Sequence, residues 1–243
     1  MIPRFFFASP LAVGREIALP PSAAHHASAV LRLKPGDAVT LFDGRGGEYA
    51  AHVARIAARR VDVIVGEHRL AERESPLEVT LVQALIAADR MDYVIQKSVE
   101  LGVGAIAPVV SARCVTRLDA ERAARRLEHW RQIVVASCEQ CGRNRVPAVH
   151  APAELGAWLR RASTAAVRLL LAPSAGATLG ELAVPRGGIE LLVGPEGGFA
   201  RDEEQAASAA GFGAIRAGPR ILRTETAGPA MLAAMNALWG DWR

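Results

Sequence analysis

Apolar and polar positions change rhythm about a third of the way along this chain. Up to about residue 70 the apolar positions come in short runs with strand-like spacing. Asp37 to Phe42 is one such run, Asp43 to Gly47 is turn chemistry, and Glu48 to Ile56 alternates well enough to be its hairpin partner. Arg60 to Glu67 supplies a further strand, polar at every second place at its start. Several short strands in so few residues predict a small β-barrel. The one helical stretch here runs from His25-His26 to Leu33 and is closed by Pro35-Gly36. A charged stretch over 69–77 that includes Pro76 reads as a linker, which places a first domain at 1–70, the linker at 71–77 and a second domain at 78–243.

Beyond the linker, strands and helices alternate. Val79 to Ala87 is an apolar strand of the fully buried kind. Asp89 is placed to cap a helix in which Met91, Val94, Ile95 and Val99 share a face, with Gly102 ending it. Ala105 to Val110 is the next strand, and Asp119 opens a long helix through Trp130, Ile133 and Val134 toward Cys141. Arg168 to Ala172, Ile189 to Val193 and Gly213 to Ala217 are further strands. Arg201 to Ala210 is a helix with acidic residues in its first turn, the end that favours them. The last helix spaces Met231, Met235 and Leu238 at i, i+4 and i+7, with Leu232 and Trp239 beside them. Strands separated by helices predict an α/β domain with a parallel sheet.

Composition narrows this picture. Of 243 residues, 51% are hydrophobic and 22% charged, which is the balance of a folded chain rather than a disordered one. The net charge is +4, and Lys34 and Lys97 are the only lysines among 29 basic residues. Arginine's planar fork suits phosphates and base edges, although a GC-rich coding sequence also favours arginine; the positive sign leaves a polyanionic partner open. Cys114, Cys138 and Cys141 are an odd set that forms no disulfide framework and fits a reducing cytoplasm. The apolar run at Phe5-Phe6-Phe7 is too short for a signal peptide, and no stretch is long enough to span a membrane. Cys138-Glu-Gln-Cys141 has zinc-knuckle spacing, but only His129 and His150 lie nearby and no second pair follows, so no metal is expected.

The chemistry concentrates near the C-terminus. A buried strand runs into Gly194-Pro195-Glu196-Gly197-Gly198, and a helix follows. Ligands of open α/β sheets bind at the carboxyl ends of strands, and glycines there let the backbone approach closely or take positive φ. The loop lacks the Lys-Ser/Thr of a triphosphate cradle and the full dinucleotide fingerprint. Glu196 disfavours a phosphate and favours a ligand with a cationic centre; a plain turn with a solvated Glu196 is the alternative. A second loop, Gly218-Pro219-Arg220-Ile221-Leu222-Arg223-Thr224-Glu225-Thr226-Ala227, puts two arginines, a carboxylate and two hydroxyls beside an apolar pair. Apolar walls with a few polar groups are what a cofactor pocket contains. Thr226 also stands where it can cap the last helix. The strand end Leu171-Ala172-Pro173 supplies a third wall.

These two loops resemble the cofactor loops of the SPOUT methyltransferases, and within that superfamily the RsmE pattern in particular. Pro3-Arg-Phe-Phe6, His25-His26, Val30 to Asp37 and Leu41-Phe-Asp-Gly44 are similar to that family's N-terminal PUA-like RNA-binding domain. Lys97-Ser-Val-Glu-Leu-Gly102, and Glu139-Gln140 with Arg143 and Pro147, resemble its central signatures. The resemblance implies a SPOUT domain threaded into a trefoil knot, S-adenosyl-L-methionine as cofactor, a homodimer, and methylation of N3 of one uridine in the 16S rRNA of the small ribosomal subunit. Removing the N3 proton needs a base or a stabiliser of the developing charge. Arg223 is the candidate for stabilising that charge or clamping a phosphate, with Arg220 second or in an ordinary surface ion pair. Glu225 either accepts the proton or orients Arg223. Arg4, His25, His26, Arg32, Lys34, Arg45 and Arg220 are candidate RNA contacts, against a structural histidine and a solvated basic face. Lys97 and Glu100 read first as an intrahelical pair. Competing readings are a ribose 2′-O-methyltransferase of the same superfamily and an assembly factor with the fold but no turnover; an NAD-dependent dehydrogenase lacks its glycine fingerprint.

Overall fold

Alternation in the first third of the chain does produce strands. The computed structural model describes residues 2–58 and 60–242, which divide into two units. The first comprises the residues through Glu74 together with Val135–Val146; the second comprises Ser75–Val134 and the chain from Pro147 onward.

The first unit carries a five-stranded sheet of β1 (Arg4–Phe6), β2 (Glu16–Ala18), β3 (Ala38–Phe42), β4 (Glu48–Ala57) and β5 (Arg60–Arg69), in the order β1-β3-β4-β5-β2. β1 pairs parallel with β3 and the remaining neighbours are antiparallel. Val39, Leu41, Val53, Val61, Val63 and Val65 recur at every second place and close over Phe5 in one buried cluster. The helical stretch begins earlier than the histidine pair indicates. Pro21 sets the first helical φ of α1 (Pro21–His25), which runs on into a π-helical turn, His26–Val30. Neither β1 nor β2 shows in the sequence pattern, because three residues are too few for a period.

Two carboxylates help join 135–146 to this unit. Glu74 accepts hydrogen bonds from Arg143 Nη2 (2.6 Å) and Nε (2.8 Å), and from the backbone amides of Arg145 (3.1 Å) and Asn144 (3.2 Å). Glu139 accepts from the amide of Phe6 at 2.9 Å. The segment contains the end of the long helix α3 (Ala120–Cys141), which Asp119 caps by accepting from the amide of Arg122 at 2.7 Å. Gly142 follows at φ +88°, the left-handed conformation that stops a helix.

The second unit is an α/β layer. Its sheet runs β12-β10-β11-β6-β7-β8, from β6 (Val79–Ala84), β7 (Ala105–Val110), β8 (Ala148–Val149), β10 (Val167–Leu171), β11 (Ile189–Val193) and β12 (Gly213–Ile215), with β9 (Ala153–Glu154) also beside β7. Every pair is parallel. All five residues of β11 are buried, as a strand covered on both faces must be. The helices are α2 (Ala88–Glu100), α4 (Leu155–Leu159), α5 (Arg201–Ala209) and α6 (Thr224–Trp239), with α3 beginning here. α2 buries Met91, Val94, Ile95 and Val99, but Ala87 occupies its N-cap. Asp89 therefore sits inside the first turn, where its charge still suits the helix dipole. α6 packs against β6 so closely that a Cβ on Gly228 would stand 3.2 Å from Leu81. On the same helix Met231, Leu232, Met235 and Trp239 are buried, whereas Leu238 is exposed because Trp239 takes the inward place in the last turn. Among the described residues no helix is long and apolar enough to cross a membrane.

Glu74→Ala removes the acceptor for four donors, including an arginine whose side chain is only 6% exposed. It is expected to lower unfolding stability by about 3–5 kcal/mol, the usual consequence of stranding one half of a buried ion pair. Denaturant titration checks this, and a loss below about 1 kcal/mol contradicts it.

Candidate active site

Parallel register brings three strand ends level. Leu171 at the end of β10 pairs with Val193 at the end of β11, and on its other side with Ile215 at the end of β12. The loops leaving these ends enclose a cavity of about 470 Å³, at the edge of the sheet where α/β ligands bind. Leu171 and Pro173 form one wall. Val193, Gly194, Pro195, Glu196 and Gly198 form a second, and Ala217, Gly218 and residues 220–225 with Ala227 form a third. Arg90 enters from α2.

Glycine makes the second wall thin. Gly198 stands at φ +67° in a turn closed by its own amide and the carbonyl of Pro195 at 2.9 Å. At Gly194 a Cβ would lie 3.2 Å from the Phe199 ring, so bare backbone lets that ring fold under the loop. One hydroxyl then ties the second wall to the third. Thr224 Oγ1 donates to the Gly194 carbonyl at 2.6 Å and accepts from Gln83 Nε2 at 3.1 Å. Gln83 is fully buried at the end of β6 and also donates to the Ala84 carbonyl at 3.2 Å.

The charged lining consists of Glu196, Glu225, Arg90, Arg220 and Arg223. Arg90 Nη1 lies 3.1 Å from Glu196 Oε1, and its Nε lies 3.9 Å from Glu225 Oε1. Arg223 Nη1 stands 4.0 Å from that same Glu225 oxygen, with its own side chain 81% exposed. The other oxygen of Glu225 is buried and has no hydrogen-bond partner among the described residues.

The structure thus brings to one cavity Leu171, Pro173, Gly194, Pro195, Glu196, Gly198, Ile221, Leu222, Thr224 and Ala227, with Arg220, Arg223 and Glu225. Three expected cofactor residues do not line it. The amide of Ala172 is spent on Ile215 O (2.9 Å), and the Gly197 carbonyl accepts from Arg113 (2.8 Å). Thr226 is exposed. Nor does Thr226 cap α6: the N-cap is Arg223, no side chain caps it, and Thr224 spends its hydroxyl across the loops. Gln83 and Arg90 escaped the sequence analysis, though each left a sign there. Gln83 is the polar residue in an otherwise apolar strand end, and Arg90 is a cation in a helix's first turn, against the dipole.

Among the candidate RNA contacts, Arg4 is not free to reach a phosphate. Its guanidinium is held by Glu48 Oε2 (2.5 Å) and Asn144 Oδ1 (2.5 Å), because a nearly buried charge needs such partners. His25, His26, Arg32, Lys34 and Arg45 are exposed on the first unit, and the ring of His26 stands edge-on to Phe5 at 6.1 Å. Lys97 and Glu100 form the intrahelical pair at 2.8 Å. Burial pushes the pKa of the Cys138 thiol up to about 12, so the free thiol stays protonated at neutral pH. Among the described residues no three His, Cys, Asp or Glu side chains gather as for a metal.

A family model described as the RNA methyltransferase domain matches residues 73–236, and one described as the RNA methyltransferase PUA domain matches 19–66. The ribosomal RNA small subunit methyltransferase E of Buchnera aphidicola (subsp. Schizaphis graminum) is 34% identical over 240 residues, covering 99% of this chain and 98% of that protein. The chain belongs to the ribosomal RNA small subunit methyltransferase E family. A crystal structure of the methyltransferase E from Neisseria gonorrhoeae bound to S-adenosyl methionine is 42% identical, with a TM-score of 0.94 and all of both chains covered. A putative methyltransferase from Legionella pneumophila, solved in complex with the same cofactor, is 36% identical, with a TM-score of 0.96 over 99% of each chain. The fold is the SPOUT-type methyltransferase fold, with a smaller antiparallel sheet ahead of it.

Thr224→Val keeps the shape and removes the tie, leaving the Gly194 carbonyl and Gln83 Nε2 short of a partner. It is expected to cost about 1–3 kcal/mol of stability in denaturant titration. A change under about 0.5 kcal/mol contradicts the assignment of the tie.

Proposed function

We propose that this protein transfers a methyl group from S-adenosyl-L-methionine to N3 of one uridine in the 16S rRNA of the small ribosomal subunit, acting as a cytoplasmic homodimer. The observation that carries the reading is the glycine-walled cavity at the three level strand ends, in a chain that matches a cofactor-bound family member over its whole length. Relatives named ribosomal RNA small subunit methyltransferase E at 34% identity support rRNA as the acceptor. The residues present fit the cofactor. Gly198, where a side chain would meet no neighbour, leaves room for a ligand, Ile221 and Leu222 offer apolar contact, and the unpartnered oxygen of Glu225 awaits a donor.

When bound, S-adenosylmethionine supplies an electrophilic methyl group on its sulfonium. The chain's own task is to align an acceptor nitrogen with that methyl and to manage one proton and one charge. Leu171, Pro173 and the 194–198 loop hold the cofactor side. As N3 loses its proton, negative charge spreads over the uracil ring, and Arg223, extended from the rim, stabilises it. Glu225 keeps Arg223 directed to the mouth by the charge between them. On the first unit, exposed Arg32, Lys34 and Arg45 with His25 and His26 supply contacts to the RNA backbone.

Arg223→Ala is expected to slow methylation by about 100-fold or more, the usual cost of one lost charge-stabilising donor, while cofactor affinity stays within about threefold. Nucleoside mass spectrometry of reacted 16S rRNA reads the product, and calorimetry reads the affinity. Ribose-methylated nucleoside in place of N3-methyluridine contradicts the reaction, and parallel loss of affinity contradicts the role of Arg223.

A further inference from the structure

Arg90 breaks a local rule. It stands in the first turn of α2, where the positive end of the helix dipole disfavours a cation and where Asp89 beside it is the favoured kind of residue. A residue that works against its own helix and still lines the cavity is a sign of function rather than of folding.

Its position explains the departure. Glu196 belongs to the glycine loop and Glu225 to the start of α6, and both carboxylates line the same cavity. Arg90 reaches both, at 3.1 Å from one and 3.9 Å from the other. Arg223 approaches only Glu225, at 4.0 Å, and its side chain is 81% exposed, so solvent screens most of its effect. Arg90 and Glu196 are each 40% exposed and Glu225 is 15% exposed, so Arg90 is the less hydrated of the two arginines that approach these carboxylates. Without it, Glu196 would lose its ion-pair partner and Glu225 would keep only the exposed Arg223.

Resting on the cofactor assignment above, we infer that Arg90 sets the charge of the cavity and thereby its discrimination between the cationic sulfonium donor and the neutral thioether product. Transfer of the methyl group removes one positive charge from the ligand: the N3 proton leaves to solvent, the electron pair it leaves on N3 forms the N3–CH3 bond, and the S–CH3 bond breaks with its pair staying on sulfur. A cavity with two unbalanced carboxylates would hold the sulfonium preferentially and release the thioether. With Arg90 paired to Glu196 and near Glu225, the cavity carries less negative charge and the two ligands bind more evenly. Arg90 is thus a specificity-determining and positioning residue that acts through Glu196 and Glu225.

Calorimetric titration of the full-length protein with S-adenosylmethionine and with S-adenosylhomocysteine tests this without turnover. Arg90→Gln removes the charge at similar length, and Arg90→Lys retains it. The Kd ratio of product to donor is expected to rise about fivefold in R90Q, the size of one unit charge lost at a partly hydrated rim, and to stay within about twofold of wild type in R90K. Melting temperatures of both variants are expected to match wild type, because half-exposed ion pairs add little to stability. An unchanged ratio in R90Q, or an equal change in R90Q and R90K, overturns the inference and leaves the proposed reaction standing. A wild-type protein that binds neither compound overturns the cofactor reading and this inference together.

Discussion

A parallel sheet delivers its strand ends to one edge, but it does not hold the loops that leave them. Here that is done by the hydroxyl of Thr224, which joins the Gly194 carbonyl to the buried amide of Gln83. The bond has consequences on both sides. It fixes the first residue of α6 against the end of β11, and it fixes the glycine loop at the point where its backbone turns around Phe199. The other side of that loop is pinned from the segment after β7: Arg113 donates to the Gly197 carbonyl, and Glu203 accepts from the amides of Ala112 and Ala200. A loop without side chains at three of its positions has few contacts of its own and takes its shape from these neighbours.

Such a scaffold separates two kinds of chemistry. Inside, backbone and apolar side chains form a surface that recognises shape. Beside it, arginines and carboxylates alternate through Glu196, Arg90, Glu225 and Arg223. The most exposed member is Arg223. Glu225 is the least exposed and keeps one carboxylate oxygen in reserve.

Much of this was legible in the amino-acid order. Ile189 to Val193 and Ala105 to Val110 read as strands with the observed bounds, because buried parallel strands are largely apolar runs between turn residues. Both loops that line the cavity stood out by their glycines and their mixed polar content. Long-range pairing was less legible. Nothing local says that 135–146 packs with the first unit, since the Arg143–Glu74 pair spans 69 residues. Thr226 looked like a helix cap because capping is a local pattern, whereas the hydroxyl that matters, on Thr224, answers to a carbonyl thirty residues earlier. Arg4 looked like a phosphate ligand until Glu48 and Asn144 were seen to hold it. The expectation of a trefoil threading rested on resemblance alone, since periodicity carries no information about it.

The central claim is that the loops around Gly194 and Thr224 together form the binding site for the methyl donor. A crystal structure of this protein grown with S-adenosylmethionine tests it most directly. The account requires density for the compound between residues 194–198 and 220–227, with Leu171 and Pro173 on its flank. Density for the compound at any other place, with this cavity holding only solvent, would contradict it.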